Sequence, residues 1–271
     1  MVKKLATSLF LILFVVSQST AGHSQNPTQE VSVKMIGGQF RPSAAGGEVT
    51  FIFAQKFSCS GVLVGRREVL TAAHCVSAGI KAADYAVFAA GAWRRVASIW
   101  HHPKYVAGQP PLSMARYDVG VIVLSEPVTD LSPLPILKGK KVTRGTTIAI
   151  AGYGTNELSS DENRSFIDNF KVGLSRVMKA DGNHLFANHQ AYQTSACQGD
   201  SGGPAIMQYK KGAFAVVGVV SAGINRVENN QCVLRGDGLF VHPDLQSSSS
   251  RSFLSAFRGI RYARVRSSRS R

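Results

Sequence analysis

Short runs rich in Val, Ile, Phe and Ala recur from Val49 onward, at 49–54, 85–92, 119–124, 146–151 and 214–220, and turn formers such as Gly, Pro, Asn and Asp punctuate the chain between them. Runs of this length at this spacing predict an all-β chain, because a strand needs only a few β-branched or aromatic residues between turn formers. Long apolar stretches with a helical period are scarce, and 26 glycines among 271 residues suit a fold of many tight turns. One helical pattern stands near the end, where Phe253, Leu254, Phe257 and Ile260 share a face after the serines at 247–250. It predicts a short C-terminal helix. Residues 127–141 hold three prolines and three lysines without strand alternation, which predicts a linker between two halves.

The amino terminus reads differently. Two lysines within residues 1–4, an apolar run over 5–16 and the small residues Ser19, Thr20 and Ala21 form the three parts of a secretory signal peptide. A membrane anchor is the competing reading, but twelve residues fall short of the roughly 20 that a helical span needs. The expected division is a signal peptide at 1–21, a short segment at 22–34, one main folded region at 35–260 and a basic, disordered tail at 261–271. Export, to the cell exterior or a periplasm, exposes Cys59, Cys75, Cys197 and Cys232 to oxidising conditions in which they pair. No CxxC spacing joins them, which argues against zinc.

Composition places few further bounds. At 44% hydrophobic and 17% charged residues the chain is globular, which excludes disordered and collagen-like classes. Its net charge of +15 gathers at the ends, with seven Arg and no acid from Arg251 to Arg271, so the body is only mildly basic. Such a run is either a solvated tail or a means of holding the protein on an anionic surface.

Three segments carry reactive residue types. Gly199-Asp200-Ser201-Gly202-Gly203-Pro204, preceded by Cys197, sets a serine on a glycine turn, where a hydroxyl and nearby N–H groups can face a ligand. Thr71-Ala72-Ala73-His74-Cys75 offers an imidazole, the usual base for a serine near neutral pH. Asp118 precedes an apolar run, and a carboxylate against a core needs a partner such as a histidine N–H. Each has an ordinary reading alone: a glycine turn, a packed histidine, a solvated acid at a strand end.

Together the three segments resemble the chymotrypsin-type (trypsin-like) serine proteases, in their His, Asp, Ser chain order. The resemblance covers roughly residues 35–241. It implies two packed antiparallel six-stranded β-barrels with a short C-terminal helix. It also implies His74 as general base, Asp118 as its orienting acid, Ser201 as nucleophile, and the N–H groups of Gly199 and Ser201 as oxyanion hole. Lys34 followed by Met35-Ile36-Gly37-Gly38 is similar to the family's activation site, where a trypsin-like protease cuts and the new α-amino group pairs with the acid before the nucleophile, here Asp200. The uncut chain is then expected to be a poor enzyme. Met35 stands where the family usually has Ile or Val.

The resemblance further implies disulfides Cys59–Cys75 and Cys197–Cys232, with no cysteine left for another bridge found often in the family. It puts the specificity pocket at Ser195, its base, with walls at Ser221, Gly223 and Gly238. An uncharged base and open walls imply large apolar or aromatic substrate side chains, although Asp237 adjoins Gly238 and Ala222 replaces a common tryptophan. Substrates are expected to be proteins or peptides, the protein a monomer, and no metal or cofactor is required. A catalytically inactive relative that binds peptides or a surface through the same groove is the rival.

Overall fold

The computed structural model describes residues 49–55, 57–154, 170–188, 196–223, 226–228, 231–233 and 239–265, without the side chains of 226–228, 231–233 and 239–240. These residues belong to one compact unit, Val33–Arg271. The expected signal peptide, the pro-segment, Lys34, Met35, Ser195, Asp237 and Gly238 lie outside the described residues.

The chain is all-β in plan, with few and short helices. Six strands close a first barrel: β1 (Val49–Ala54), β2 (Phe57–Leu63), β3 (Glu68–Thr71), β4 (Tyr85–Ala89), β5 (Ala92–His101) and β6 (Gly120–Leu124), in the order β1-β2-β3-β6-β5-β4. The 85–92 run thus splits in two. Ala90 and Gly91, at φ of 51° and 74°, make the two-residue turn between β4 and β5, and such turns need left-handed backbone at both positions.

A nine-stranded sheet forms the second half, from β7 (Ile136–Lys138), β8 (Thr147–Gly152), β9 (Lys171–Ala180), β10 (His184–Asn188), β11 (Pro204–Lys210), β12 (Ala213–Val219), β13 (Ala222–Gly223), β16 (Leu239–Pro243) and β17 (Tyr262–Arg264). Strands β14 (Arg226–Glu228) and β15 (Gln231–Val233) pair apart from it. Its central run, β16-β10-β9-β8-β11-β12, is antiparallel throughout. The sheet differs from the expected six strands by its margins: β13 extends one side, and β7 and β17 extend the other in parallel pairing. The 127–141 segment does connect the halves, but it also supplies β7.

The tail expected at 261–271 begins inside this sheet. Ala263 is 6% exposed and packs with Leu137 and Val142, while Tyr262–Arg264 pairs with Ile136–Lys138. A single small inward residue between Tyr262 and Arg264 left no apolar pattern to read.

Each half has its own core, Ile52, Leu63, Val87 and Ile122 in the first and Ile148, Val177, Leu185 and Val217 in the second. A third cluster joins them: Val62, Leu70 and Val121 from the barrel meet Ile206, Val216 and Val219 from the sheet, capped by Leu254 and Ile260. The C-terminal helix, α2, is Ser248–Leu254. Ser247 caps it by accepting from Ser250 N at 3.1 Å, and Phe257 and Ile260 pack beyond its end rather than on it.

His242 of β16 is fully buried, with Nδ1 on Val219 O at 2.9 Å and no partner for Nε2 among the described residues. Burial pushes its pKa down to about 4, against a weaker opposing effect of the Val219 carbonyl. Because the folded ring resists a proton that the unfolded ring accepts near 6.5, its contribution to stability is present above that value and is lost as pH falls from about 6.5 to 4. The expected loss is about 3 kcal/mol. Denaturant melts of the wild type and His242→Phe at pH 7 and pH 4.5 test this: the variant should lose clearly less on acidification, and equal losses would refute it.

Candidate active site

His74 lies on a single 3-10 turn, Ala73–Cys75, directly after β3. Ala72 and Ala73 are wholly buried, which leaves the small-residue segment flush with the barrel and the imidazole 29% exposed at its surface. Cys75 closes the turn through a disulfide to Cys59 of β2, as expected. That bridge spans 16 residues and is expected to contribute about 3 kcal/mol. Cys59→Ser/Cys75→Ser should therefore lower the melting temperature by roughly 6 to 12 °C, measured by calorimetry; a shift under about 2 °C would count against the bridge. Cys197 is also disulfide-bonded, and the side chain of its expected partner Cys232 lies outside the described residues.

Asp118 follows a short helix, α1 (Pro111–Ala115), and precedes β6. Its carboxylate is fully buried yet well satisfied. Oδ1 accepts from His74 N at 2.8 Å, while Oδ2 accepts from His74 Nδ1 at 2.8 Å and from Ser221 Oγ at 2.6 Å. A carboxylate only accepts, so the ring proton sits on Nδ1 and Nε2 is left as the basic nitrogen. Burial, and next the nearby Asp118 charge, push the Tyr105 phenol up to about 12.

The Ser221 hydroxyl is the third donor to Asp118, across 103 residues of sequence. Gly223 sits in β13, exposed and paired with Phe240.

The nucleophile turn is held by contacts to both halves. Gly199 has φ of 89° and Gly202 79°, so the turn enters the left-handed region on both sides of Ser201. A Cβ on Gly202 would come within 2.1 Å of Thr71 Oγ1 and 2.8 Å of Ala72 N, which is the close approach that brings the serine loop onto the histidine loop. Ser60, fully buried in β2, ties the same region: its N–H donates to Ser201 O at 2.8 Å, its Oγ donates to Gly199 O at 2.7 Å, and Oγ accepts from Tyr153 N at 2.9 Å.

The backbone N–H groups divide into two sets. Asp200, Gly202 and Gly203 donate to Cys197 O, Val220 O and Asp200 O. Those of Gly199 and Ser201 have no acceptor among the described residues, which leaves them available to a developing negative charge. No hydrogen bond joins His74 Nε2 to Ser201 Oγ among the described residues; such bonds often tighten only when substrate binds.

Asp200 is 1% exposed, and its two oxygens accept from Gly154 N and Cys197 N at 2.8 Å each. Burial pushes its carboxyl up, opposed by these two N–H groups and by the charge of Lys171. The one cluster of metal-ligating types among the described residues, Cys59, His74 and Cys75, has its sulfurs bonded to each other.

The trypsin family model matches residues 35–234, nearly three quarters of the chain, including the segments that carry His74, Asp118 and Ser201. The chain belongs to the trypsin family. Among curated relatives of this trypsin-like chain, the proclotting enzyme of Tachypleus tridentatus is 25% identical over 242 residues, covering 76% of this chain and 62% of the relative. Phenoloxidase-activating enzyme 1 of Spodoptera litura is 26% identical over 200 residues, covering 62% of this chain and 52% of that protein. The match therefore spans less than two thirds of either relative's length.

Ser60 went unnoticed in the sequence of this trypsin-family chain, and Ser221 was expected only as a pocket wall, because serines next to glycine or alanine in β runs look like ordinary turn or strand residues. Lys171 was likewise silent, one lysine among many.

Proposed function

We propose that the protein is a secreted serine endopeptidase that hydrolyses peptide bonds through an acyl-enzyme. The observation that carries this reading is the Asp118 carboxylate holding the His74 ring by Nδ1, with Nε2 left basic and Ser201 on an adjoining turn. His74 takes the proton of Ser201 as its oxygen attacks the carbonyl carbon. The N–H groups of Gly199 and Ser201 receive the oxyanion, and His74 returns the proton to the leaving amine. Water, activated by the same ring, then releases the acyl group.

The residues 1–21 act as a signal peptide in this reading, and a cut after Lys34 by a trypsin-like protease raises activity by adding the Met35 amino group near Asp200. Among the described residues no helix is long and apolar enough to cross a membrane. The relatives' names, one a proclotting enzyme and one a phenoloxidase-activating enzyme, support protein substrates and an upstream activator. The uncharged Ser195 supports cleavage after large apolar or aromatic residues, which peptide-library profiling tests; a strong preference for Lys or Arg would overturn it.

A fluorophosphonate probe, applied to the purified chain before and after a brief trypsin cut at Lys34, tests the enzyme reading. The cut chain is expected to label at Ser201 and the Ser201→Ala chain not at all. Absence of labelling with a verified Met35 terminus would favour the inactive, peptide-binding alternative.

An anionic surface is a further partner in this reading. Lys138, Arg251, Arg258 and Arg264 line one groove of about 310 Å³ together with Tyr262, so the basic character continues from the tail into the fold. Binding to anionic vesicles that falls with salt, and falls further in Arg251→Ser/Arg258→Ser/Arg264→Ser, is the expected result.

A further inference from the structure

The ring of His184 meets an acceptor at each nitrogen. His184 opens β10 and is 8% exposed. Its Nδ1 lies 3.0 Å from Asp181 Oδ2 and 3.2 Å from Oδ1, and its Nε2 lies 2.9 Å from Leu112 O. A carbonyl and an ionised carboxylate only accept, so both contacts are hydrogen bonds only while both ring nitrogens carry a proton. Asp181 is ionised: burial raises its carboxyl, but the hydrogen bond from the ring, the N–H groups of Asn183 and His184 and the charge of the ring outweigh burial and hold it below its ordinary value. A neutral ring has one N–H and must release one of its two partners. The carboxylate is the stronger acceptor, so the partner released is Leu112 O.

Leu112 belongs to α1, the five-residue helix that leads into Asp118. Within that segment Arg116 N donates to Leu112 O, Tyr117 N to Met114 O and Asp118 N to Ala115 O at 3.3, 3.1 and 3.3 Å, long for such bonds. Two contacts from the second half steady it. Ala115, wholly buried, packs with Phe186 of β10 and Val241 of β16, and the His184 ring reaches Leu112 O. Leu112 itself is 51% exposed, so its carbonyl rather than its side chain is what the second half grips. The charged groups that face the ring are Asp181 from the β9–β10 turn and Asp244 from the end of β16, which in turn feels Arg251 of α2. Lys179 of β9 stands over the Phe186 ring at 5.5 Å, beside His184, while α1 carries no titratable residue.

We propose that His184 is a positioning residue for the catalytic acid: its Nε2–H grips Leu112 O and thereby fixes the α1 segment that ends at Asp118. The proposal rests on the serine protease reading above, in which Asp118 orients His74. Asp118 meets His74 N and Nδ1 at 2.8 Å each, so slack in the segment that carries it spoils the alignment of the base. The loss falls on the chemical step: kcat drops and KM holds. The two histidines then have opposite requirements. His74 serves as a base once it is neutral, whereas His184 keeps both partners only while it is protonated. The grip is complete at low pH and is lost as the His184 ring gives up a proton.

Two variants of the chain cut at Lys34 test this against the cut wild type. His184→Gln keeps an amide donor for Leu112 O that does not titrate, and His184→Leu removes the donor. The kcat and KM for a peptide ester are measured from about pH 6 to about pH 8.5, the range in which histidines change charge. Ratios to wild type at each pH cancel the titration of His74. The kcat ratio of His184→Gln should start near one and rise about three- to tenfold with pH, the worth of one hydrogen bond. The ratio of His184→Leu should start low by the same factor and approach one, and KM should stay level throughout. Amide hydrogen exchange at Arg116, Tyr117 and Asp118, followed in Ser201→Ala chains, should be faster in the parent than with His184→Gln at the upper pH and equal at the lower. A flat kcat ratio for His184→Gln, or equal exchange at every pH, overturns the proposal. If a His184 variant does not fold, Asp181→Asn decides, since weakening the Asp181 contact should loosen the three amides at a lower pH than in the parent, and no shift would overturn the proposal. A cut wild type that fails to turn over the ester while the exchange contrast holds would remove the protease reading and not the grip on α1.

Discussion

Ser201→Ala is expected to lower turnover by about four to six orders of magnitude with almost no change in folding. The side chain is half-buried on its turn, and its Oγ has no hydrogen-bond partner among the described residues, so its removal leaves no buried group unsatisfied. The backbone that shapes the turn also stays: the left-handed positions are Gly199 and Gly202, and Ser60 holds Ser201 by the carbonyl. Some rate above water should persist, because the N–H groups of Gly199 and Ser201 remain in place. Single-turnover kinetics on a peptide ester, with a melting temperature within about 2 °C of wild type, check both halves of this expectation. Turnover near wild type in a clean Ser201→Ala preparation would refute the nucleophile assignment.

Asp118→Asn is the second large effect, a loss of about 10⁴ in turnover. All three groups that face this carboxylate are donors: His74 N, His74 Nδ1 and Ser221 Oγ. An amide in its place brings an NH₂ against at least one of them, whichever way it is turned. With NH₂ toward Nδ1, the ring is forced to move its proton to Nε2, which can then no longer accept from Ser201. With NH₂ toward His74 N, two donors collide and the 3-10 turn is pushed away from the barrel. The fold should survive, since the Cys59–Cys75 bridge and the buried alanines hold that turn independently. Labelling by fluorophosphonate should fall in parallel with turnover, and Ser221→Ala should give a much smaller loss, since it removes one donor and leaves the tautomer correct. Equal losses for the two variants would mean that Asp118 acts by something other than orienting His74.

The positions of many strands were legible because they depend on local pattern. The run at 49–54 is β1 residue for residue, 119–124 begins one residue before β6 and ends with it, and 146–151 is displaced by one position from β8. The β17 strand was not legible, since its pairing with β7 depends on a parallel neighbour more than a hundred residues away and only Ala263 points inward. The C-terminal helix was legible by period but overextended: Phe257 and Ile260 keep the apolar pattern after the helical hydrogen bonds have ended.

For the site, residue types and motif order were sufficient to single out His74, Asp118 and Ser201, because an imidazole, a carboxylate and a serine between glycines are chemically conspicuous. What holds them is not conspicuous. Ser60 joins Gly199 across 139 residues and Ser221 joins Asp118 across 103, and each is a plain serine until the halves are packed together. The sequence by itself determined the strand-rich class, the reactive residue types and the cysteines available for bridging, all properties of composition and short-range order. Only the tertiary structure decided that Ser221 serves Asp118, that Lys171 and Asp200 both bind Gly154, and that two N–H groups of the serine turn find no acceptor among the described residues, because hydrogen bonding in an interior is set by which distant segments share it.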